Sequence, residues 1–343
     1  MSEPLLKGAA AEEALRNYFL SIGYFVVRGP RFQFNSFDVT DVDLWLYGKS
    51  SPLSRERVNV DIKNKKTPQA LERIFWAKGL QAILGLDDCI VATSDVRPDV
   101  REFGLQHNVK VFDGRFMNRL TKSERSEQER LTEEQFFAEF DQASLGKLGG
   151  DWRGKYENSK SRILDSLSFD GGNAWLEDLR YFLGEVMTQP APPPSVWRMI
   201  NITAAFFVVA IDFILREHIS AEHEQRKALL EDGFRYGAAG RAYAEKVGRM
   251  AGALAGQFTK QPGLARSIEM ELHEQAKEVR AEVLAEFFSR SATHTVLFDI
   301  GRELEAAAFA IDVGTPGSLS ASSQALFGVM ADFFALDRKR ILI

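Results

Sequence analysis

A single cysteine, Cys89, among 343 residues leaves no disulfide framework to build and no multi-thiolate zinc or iron–sulfur site. Cys89 stands in the apolar run DCIVAT, the setting of a buried strand residue, and no His or acid pairing that would make it a nucleophile is suggested nearby. The opening MSEPLLKGAAAEEALRNYF lacks the basic segment followed by an apolar run that a secretory signal needs. Long apolar runs are equally scarce. The stretch 199–215 is shorter than the roughly 20 residues that span a bilayer, and it holds Asn201 and Asp212, as a helix in the middle of a bundle does. The expectation is a cytoplasmic protein without a membrane partner. An excess of basic charge is missing too: the net charge is −5 with pI ≈ 5.7. Nonspecific DNA binders are usually basic, so the overall balance argues mildly against DNA, while still allowing a local basic groove around an acidic site.

What is present is ample core. Hydrophobic residues make up 45% of the chain and phenylalanine alone occurs 26 times, which excludes a disordered majority. The length exceeds one comfortable core, so two domains are expected. The texture changes near residue 120, with short β-rich runs alternating with helical ones before it and almost only helical patterns after it. Residues 3–22 put Leu5, Ala11, Leu15, Tyr18, Phe19 and Ile22 on one helical face, ended by Gly23. Strands are expected at 24–28, 42–47 and 57–62, then a helix at 69–86 opened by Thr67-Pro68, a strand at 88–93, a short helix at 98–107 and a strand at 109–112. This predicts a mixed sheet flanked by helices over residues 1–122. Residues 123–150, charged and closed by Gly149-Gly150, read as a solvated connector, partly helical. Residues 151–343 read as an all-helical domain with helices near 157–168, 174–187, 196–218, 221–235, 241–258, 264–289, 294–309 and 322–338. Pro190, Pro192, Pro193 and Pro194 form a rigid joint.

The chemistry concentrates at Asp43, Asp61 and Lys63. Asp61 and Lys63 are two apart on one strand and project from the same face. Were the strands of Asp43 and Asp61 antiparallel neighbours, the two carboxylates would converge at one end of the sheet. Such a pair suits Mg²⁺, which prefers hard oxygen ligands and keeps several waters. The metal lowers the pKa of a bound water and neutralises charge on a phosphate, and a lysine beside it orients that water.

The segments KGAAAEEALRNYFLSIGYFVVRG, DVDLWLY and VNVDIKNKK, in that order, resemble the PD-(D/E)XK nuclease superfamily, and within it Mrr-type restriction enzymes and archaeal-type Holliday-junction resolvases. The resemblance covers roughly residues 5–115 and does not extend to the helical region. It implies an αβββαβ restriction-endonuclease-like fold and Mg²⁺- or Mn²⁺-dependent hydrolysis of DNA phosphodiester bonds, with RNA left open. It further implies Glu12 as the first-helix glutamate, with Glu13 as fallback, Asp43 as the first strand acid, with Asp41 as competitor, and Asp61 and Lys63 as the acid-x-Lys. Glu12, Asp43 and Asp61 would hold the metal, and Lys63 would assist the water. Gln69 stands where some branches carry a glutamine, but no tyrosine follows four residues later.

Lys65, Lys66, Arg73 and Lys78, with Gln69, are candidates for the phosphate-facing edge of the cleft, weighed against an ordinary solvated helix face. Arg28 and Arg31 flank a Gly-Pro turn and are weaker candidates. His218 and His223 are five apart, about 140° around a helix, and so do not form a zinc pair. The glycine-rich stretch 237–248 lacks the Gly-Lys-Ser/Thr of a phosphate loop, and no nucleophile elbow supports Ser-His-Asp chemistry. The leading expectation is a metal-dependent endonuclease, suited by analogy to restriction or antiviral defence. A homodimer or larger homo-oligomer would suit it, since one site of this kind cuts one strand. The alternative is an inactive nuclease-like fold serving as a nucleic-acid-binding or assembly module, with the helical part doing the work.

Overall fold

The computed structural model describes residues 7–35, 37–65, 69–123, 130–143, 150–258 and 263–342. Helix α1 (Lys7–Ser21) ends before Gly23, whose φ of +104° reverses the chain into β1 (Phe25–Arg28). A hairpin follows, β2 (Arg31–Phe34) and β3 (Phe37–Asp41), and then β4 (Leu44–Ser51) and β5 (Ser54–Lys63). Next come α2 (Ala70–Leu84), β6 (Asp88–Thr93), α3 (Pro98–Gln106), β7 (Lys110–Phe112), α4 (Gly114–Ser123), α5 (Glu133–Ala143) and α6 (Trp152–Ser161). The rest is helical: α7 (Phe169–Thr188), α8 (Pro194–Leu215), α9 (His223–Tyr236), α10 (Gly240–Phe258), α11 (Leu264–Glu278), α12 (Ala281–Ser289), α13 (Ser291–His294), α14 (Leu297–Phe309), α15 (Ala321–Phe333) and α16 (Arg338–Leu342).

The chain forms two compact units, and neither is continuous in sequence. The first contains residues 1–165, 193–202 and 304–313; the second contains 166–192, 203–303 and 314–343. In the first, strands run in the order β1-β4-β5-β6-β7, antiparallel across β1, β4 and β5 and parallel across β5, β6 and β7. The strand alternation sorts side chains to two faces. Val58, Val60 and Ile62 of β5 join Ala11, Leu15 and Phe19 of α1 and Met117 of α4 in one core layer. Cys89 and Val91 of β6 join Ile74 and Ala77 of α2 and Val100 of α3 in the other. Each fully buried Val, Leu, Ile or Phe side chain among them contributes about 1.5–3 kcal/mol. The hairpin and α4 were not anticipated.

The first unit reaches past residue 122. The stretch expected to be a solvated connector contains α5, whose Phe136 and Phe140 are fully buried, with Phe136 stacked on Phe309 at 4.3 Å between ring centroids. Charges on the exposed side of a short amphipathic helix hid its apolar side; residues 124–129 and 144–149 lie outside the description. Arg198, at the start of α8, donates to the carbonyls of Ala308 and Ile311, both at 2.9 Å, and so satisfies acceptors left open at the end of α14.

In the second unit, Phe169, Phe207, Phe234 and Phe288 form a continuous aromatic cluster with centroid separations of 5.6–6.1 Å. Gly233 makes room for the Phe169 ring, because a Cβ there would lie 2.4 Å from it. The single helix expected over 264–289 divides at Val279 into α11 and α12. The first packs on α10 and the second on α9 and α15, so the two halves follow different partners. Among the described residues one helix, α8, is long and apolar enough to cross a membrane, and 89% of its most apolar window is buried inside the protein.

Candidate functional site

The β4–β5 register pairs Leu44 with Val60, and one step further it sets Asp43 opposite Asp61. The Ile62 N–H donates to Asp43 Oδ2 at 2.6 Å, fixing that carboxylate against β5. Alternation sends Val60 and Ile62 to the α1 side, so Asp61 and Lys63 share the α2 side, where Asn59 also donates to the Ala77 carbonyl of α2 at 3.1 Å. Asp41 is exposed in β3, 3.8 Å from Arg31, and takes no part in this pair.

Helix α1 brings its two glutamates to different tasks. Glu13 is buried and accepts from Arg28 at 2.7 Å and from the Glu133 N–H at 3.0 Å. Glu12 is more open, accepts from Arg28 Nε at 2.8 Å, and lies near enough to Asp43 to act on it electrostatically. Burial pushes the Asp43 carboxyl up to about 6, the Ile62 N–H pulls it back, and the charge of Glu12 adds to the rise. Arg73 and Lys63 oppose that rise. Glu12, Asp43, Lys63 and Arg73 therefore share one electrostatic neighbourhood.

Arg73 behaves differently from the expectation of a phosphate contact on an open edge. Its guanidinium forks onto the buried Asp61, with Nε 2.7 Å from Oδ2 and a terminal nitrogen on Oδ1, and the group also lies 5.6 Å from the Trp76 ring. The reason is the sheet alternation, which delivers a buried carboxylate to the face that α2 covers; an unpaired charge there is costly. Lys65 is exposed two residues past the end of β5, and its carbonyl accepts from Ser94 at 2.6 Å. Gln69 is exposed and left-handed at φ +48°, without a side-chain cap. Lys66 and the expected Thr67-Pro68 cap lie outside the described residues.

Beside Glu12 lies a buried ion network that sequence reasoning missed. Arg16 sits 2.9 Å from Glu305 and 3.3 Å from Glu133, and its guanidinium lies 3.8 Å from the Phe309 ring centroid. Glu133 also accepts from Lys160 at 2.8 Å and from the Tyr156 hydroxyl at 3.0 Å, while Arg130 reaches Glu305 at 2.6 Å. Burial alone would lower the Arg16 guanidinium, but Glu13, Glu305 and Glu133 outweigh it and hold it above its ordinary value. Burial would likewise raise Glu133 and Glu305, yet Lys160 and Arg16 hold the first, and Arg130 and Arg16 the second, below the usual range. Arg28 belongs to this network through Glu12, Glu13 and Glu134, so it is committed to packing rather than to a ligand. A cleft of about 220 Å³ borders the network, lined in part by Glu12, Arg28, Arg31, Asp41 and Lys160. The sequence carries no local signal for these partners, which are up to 289 positions apart.

A second constellation has the spacing of a hydrolase relay: Ser289 Oγ lies 3.0 Å from His223 Nε2, and His223 Nδ1 lies 3.1 Å from Glu224. Ser289 is fully buried and its hydroxyl donates to the Glu286 carbonyl, while Glu224 is largely exposed. A nucleophile needs access and its partner acid needs shelter, and both conditions are reversed here.

The donor chemistry at Asp43 and Asp61 fits a hard divalent cation of the Mg²⁺ kind, which takes one or two carboxylates and fills its sphere with water and phosphate oxygens. In the structure the Asp61 carboxylate is taken up by Arg73, and the Asp43 carboxyl is raised chiefly by burial. Among the described residues no group of three or more His, Cys, Asp and Glu side chains is placed to hold a metal ion. Compared with known proteins, the chain matches no family model, no curated protein and no solved structure.

Proposed function

We propose that the first unit is a PD-(D/E)XK-like nuclease that hydrolyses DNA phosphodiester bonds in the cytoplasm with Mg²⁺ or Mn²⁺. The observation that carries this reading is the register that sets Asp43 opposite Asp61, with Lys63 on the same face and Glu12 within electrostatic reach of Asp43. The bound metal would supply an activated water and neutralise phosphate charge. Asp43 and Asp61 would hold it, with Glu12 completing the set through a water. Lys63 would orient the attacking water and stabilise the developing negative charge. Arg73 would exchange Asp61 for a phosphate oxygen, a fork geometry that suits both anions.

The Arg73–Asp61 pair also supports a second reading. A guanidinium permanently seated on Asp61 would make this an inactive fold, kept as a binding or assembly module with the helical part as the working half. One experiment separates the two. Supercoiled and linear DNA are incubated with Mg²⁺ or Mn²⁺ and the native chain, Asp61→Ala or Lys63→Ala. Metal-dependent cleavage that falls at least about 100-fold in both variants supports the nuclease. An inert native chain that also fails to bind Mn²⁺ overturns it in favour of the module.

A further inference from the structure

The strongest feature outside the candidate site is an apolar stripe on a helical hairpin of the second unit. Helix α10 presents Tyr243, Val247, Met250, Leu254 and Phe258 to solvent, with exposures from 44% at Val247 to 86% at Phe258. Successive separations of four, three, four and four residues keep all five on one face, the spacing of a coiled-coil seam. The neighbouring face of α10 is already occupied. Gly248 lies against Leu272, and Gly252 against the Ala265 carbonyl, where a Cβ would come within 2.7 Å. These contacts run α10 and α11 antiparallel, and none of the residues of α11 is fully buried. The stripe is therefore a second face, left over after the hairpin has formed.

Charge indicates what covers it. Helix α10 carries Arg241, Lys246 and Arg249 against Glu245, whereas α11 carries Glu269, Glu271, Glu274 and Glu278 against Arg266 and Lys277. One helix is basic by two charges and the other acidic by two. A hairpin with this pattern is complementary to another hairpin like itself: a twofold axis brings α10 of each copy beside α11 of the other. The two helices together carry no net charge, which makes an anionic lipid surface or a nucleic acid a poorer match than a second copy of the hairpin.

We propose that the α10–α11 hairpin is a self-association surface, on which the Tyr243–Phe258 stripe seats against the same hairpin of a second copy to form an antiparallel four-helix bundle. This assignment does not depend on the nuclease reading and is measured by mass rather than by cleavage.

The test is sedimentation velocity on the full chain from 0.1 to 50 µM, about the range in which a modest dimer dissociates. The native chain is expected to dimerise, and Leu254→Lys, at an exposed position, to raise the dimer dissociation constant at least about 100-fold with unchanged circular dichroism. Charge reversal adds a sharper arm. A chain with Lys246→Glu and Arg249→Glu, and a separate chain with Glu271→Lys and Glu274→Lys, should each dimerise poorly alone and associate when mixed. Attraction within one hairpin does not produce that pattern. A native chain that stays monomeric at 50 µM, a dimer indifferent to Leu254→Lys, or a monomer whose stripe instead binds lipid vesicles would overturn the proposal.

Discussion

Arg73 holds Asp61 through both carboxylate oxygens, with Nε 2.7 Å from Oδ2, so the acid at the centre of the candidate site is neutralised by a side chain from the helix that covers it. Arg73→Ala leaves that buried carboxylate without a partner and should cost about 2–4 kcal/mol of stability. A divalent cation should restore part of the loss. The expected signature is a lower Tm that rises more with millimolar Mn²⁺ in the variant than in the native chain. Equal metal-induced shifts in the two proteins would dissociate Asp61 from metal binding.

Asp43 makes a prediction about pH. Its folded value of about 6 lies above the ordinary 3.8, so the folded chain binds more protons than the unfolded one between those values. The contribution of Asp43 is therefore fully favourable below 3.8 and is lost as pH rises through about 6. Asp43→Asn keeps an acceptor for the Ile62 N–H without the charge, and should stabilise the chain at pH 7.5 by about 1–3 kcal/mol. Urea unfolding at pH 4, 6 and 7.5 would show the gain growing with pH. A metal-dependent activity should disappear in the same variant, a trade of function for stability.

The ion network has the opposite pH dependence. Glu133 and Glu305 are held below their ordinary 4.5 by the cations around them, so their contribution is present above that value and is lost as pH falls through their folded values. Glu305→Gln removes the nearest carboxylate from Arg16 and weakens Arg130, and should cost about 3–5 kcal/mol at pH 7 and much less at pH 3. Urea midpoints for the variant and the native chain at both pH values test this.

Arg198 closes the end of α14 with hydrogen bonds to Ala308 and Ile311. Arg198→Met keeps much of the apolar stem but returns those carbonyls to an unsatisfied state, with an expected loss of about 2–3 kcal/mol. Hydrogen exchange should show no loss of protection in β5 or β6 and a clear loss at 304–309.

The sheet was largely legible because its information is local. Period-two alternation in VNVDIK sends Val60 to one face and Asp61 and Lys63 to the other, and the strands of Asp43 and Asp61 do run antiparallel. The hairpin β2–β3 was missed because Phe34, Phe37 and Val39 are exposed, and an exposed strand leaves no inward-outward pattern. The burial of helix α5 was masked by its own charges, and the break at Val279 by a helical pattern that runs on through it. The partners of the candidate residues were harder still. Nothing near Glu12 in the sequence announces Arg28, and nothing near Asp61 announces that Arg73 will turn inward rather than face solvent. Those choices follow from burial, which is decided only when distant segments meet.

The discontinuity of the first unit gives the chain a schedule. Its sheet is complete by residue 112, but Arg16 waits for Glu305 and Phe136 waits for Phe309. On a ribosome adding about 5–20 residues per second, the gap between strand β7 and these partners amounts to roughly 10–40 seconds of translation. Through that interval Arg16 has Glu13 and Glu133 but not Glu305, and Phe136 has Phe140 and Tyr156 but not Phe309, so the unit reaches its finished form only after most of the helical part exists. A nascent chain stalled before residue 305 would therefore carry the site residues with Arg16 and Phe136 only partly enclosed, and any cutting activity in it would belong to a unit still missing its 304–313 segment.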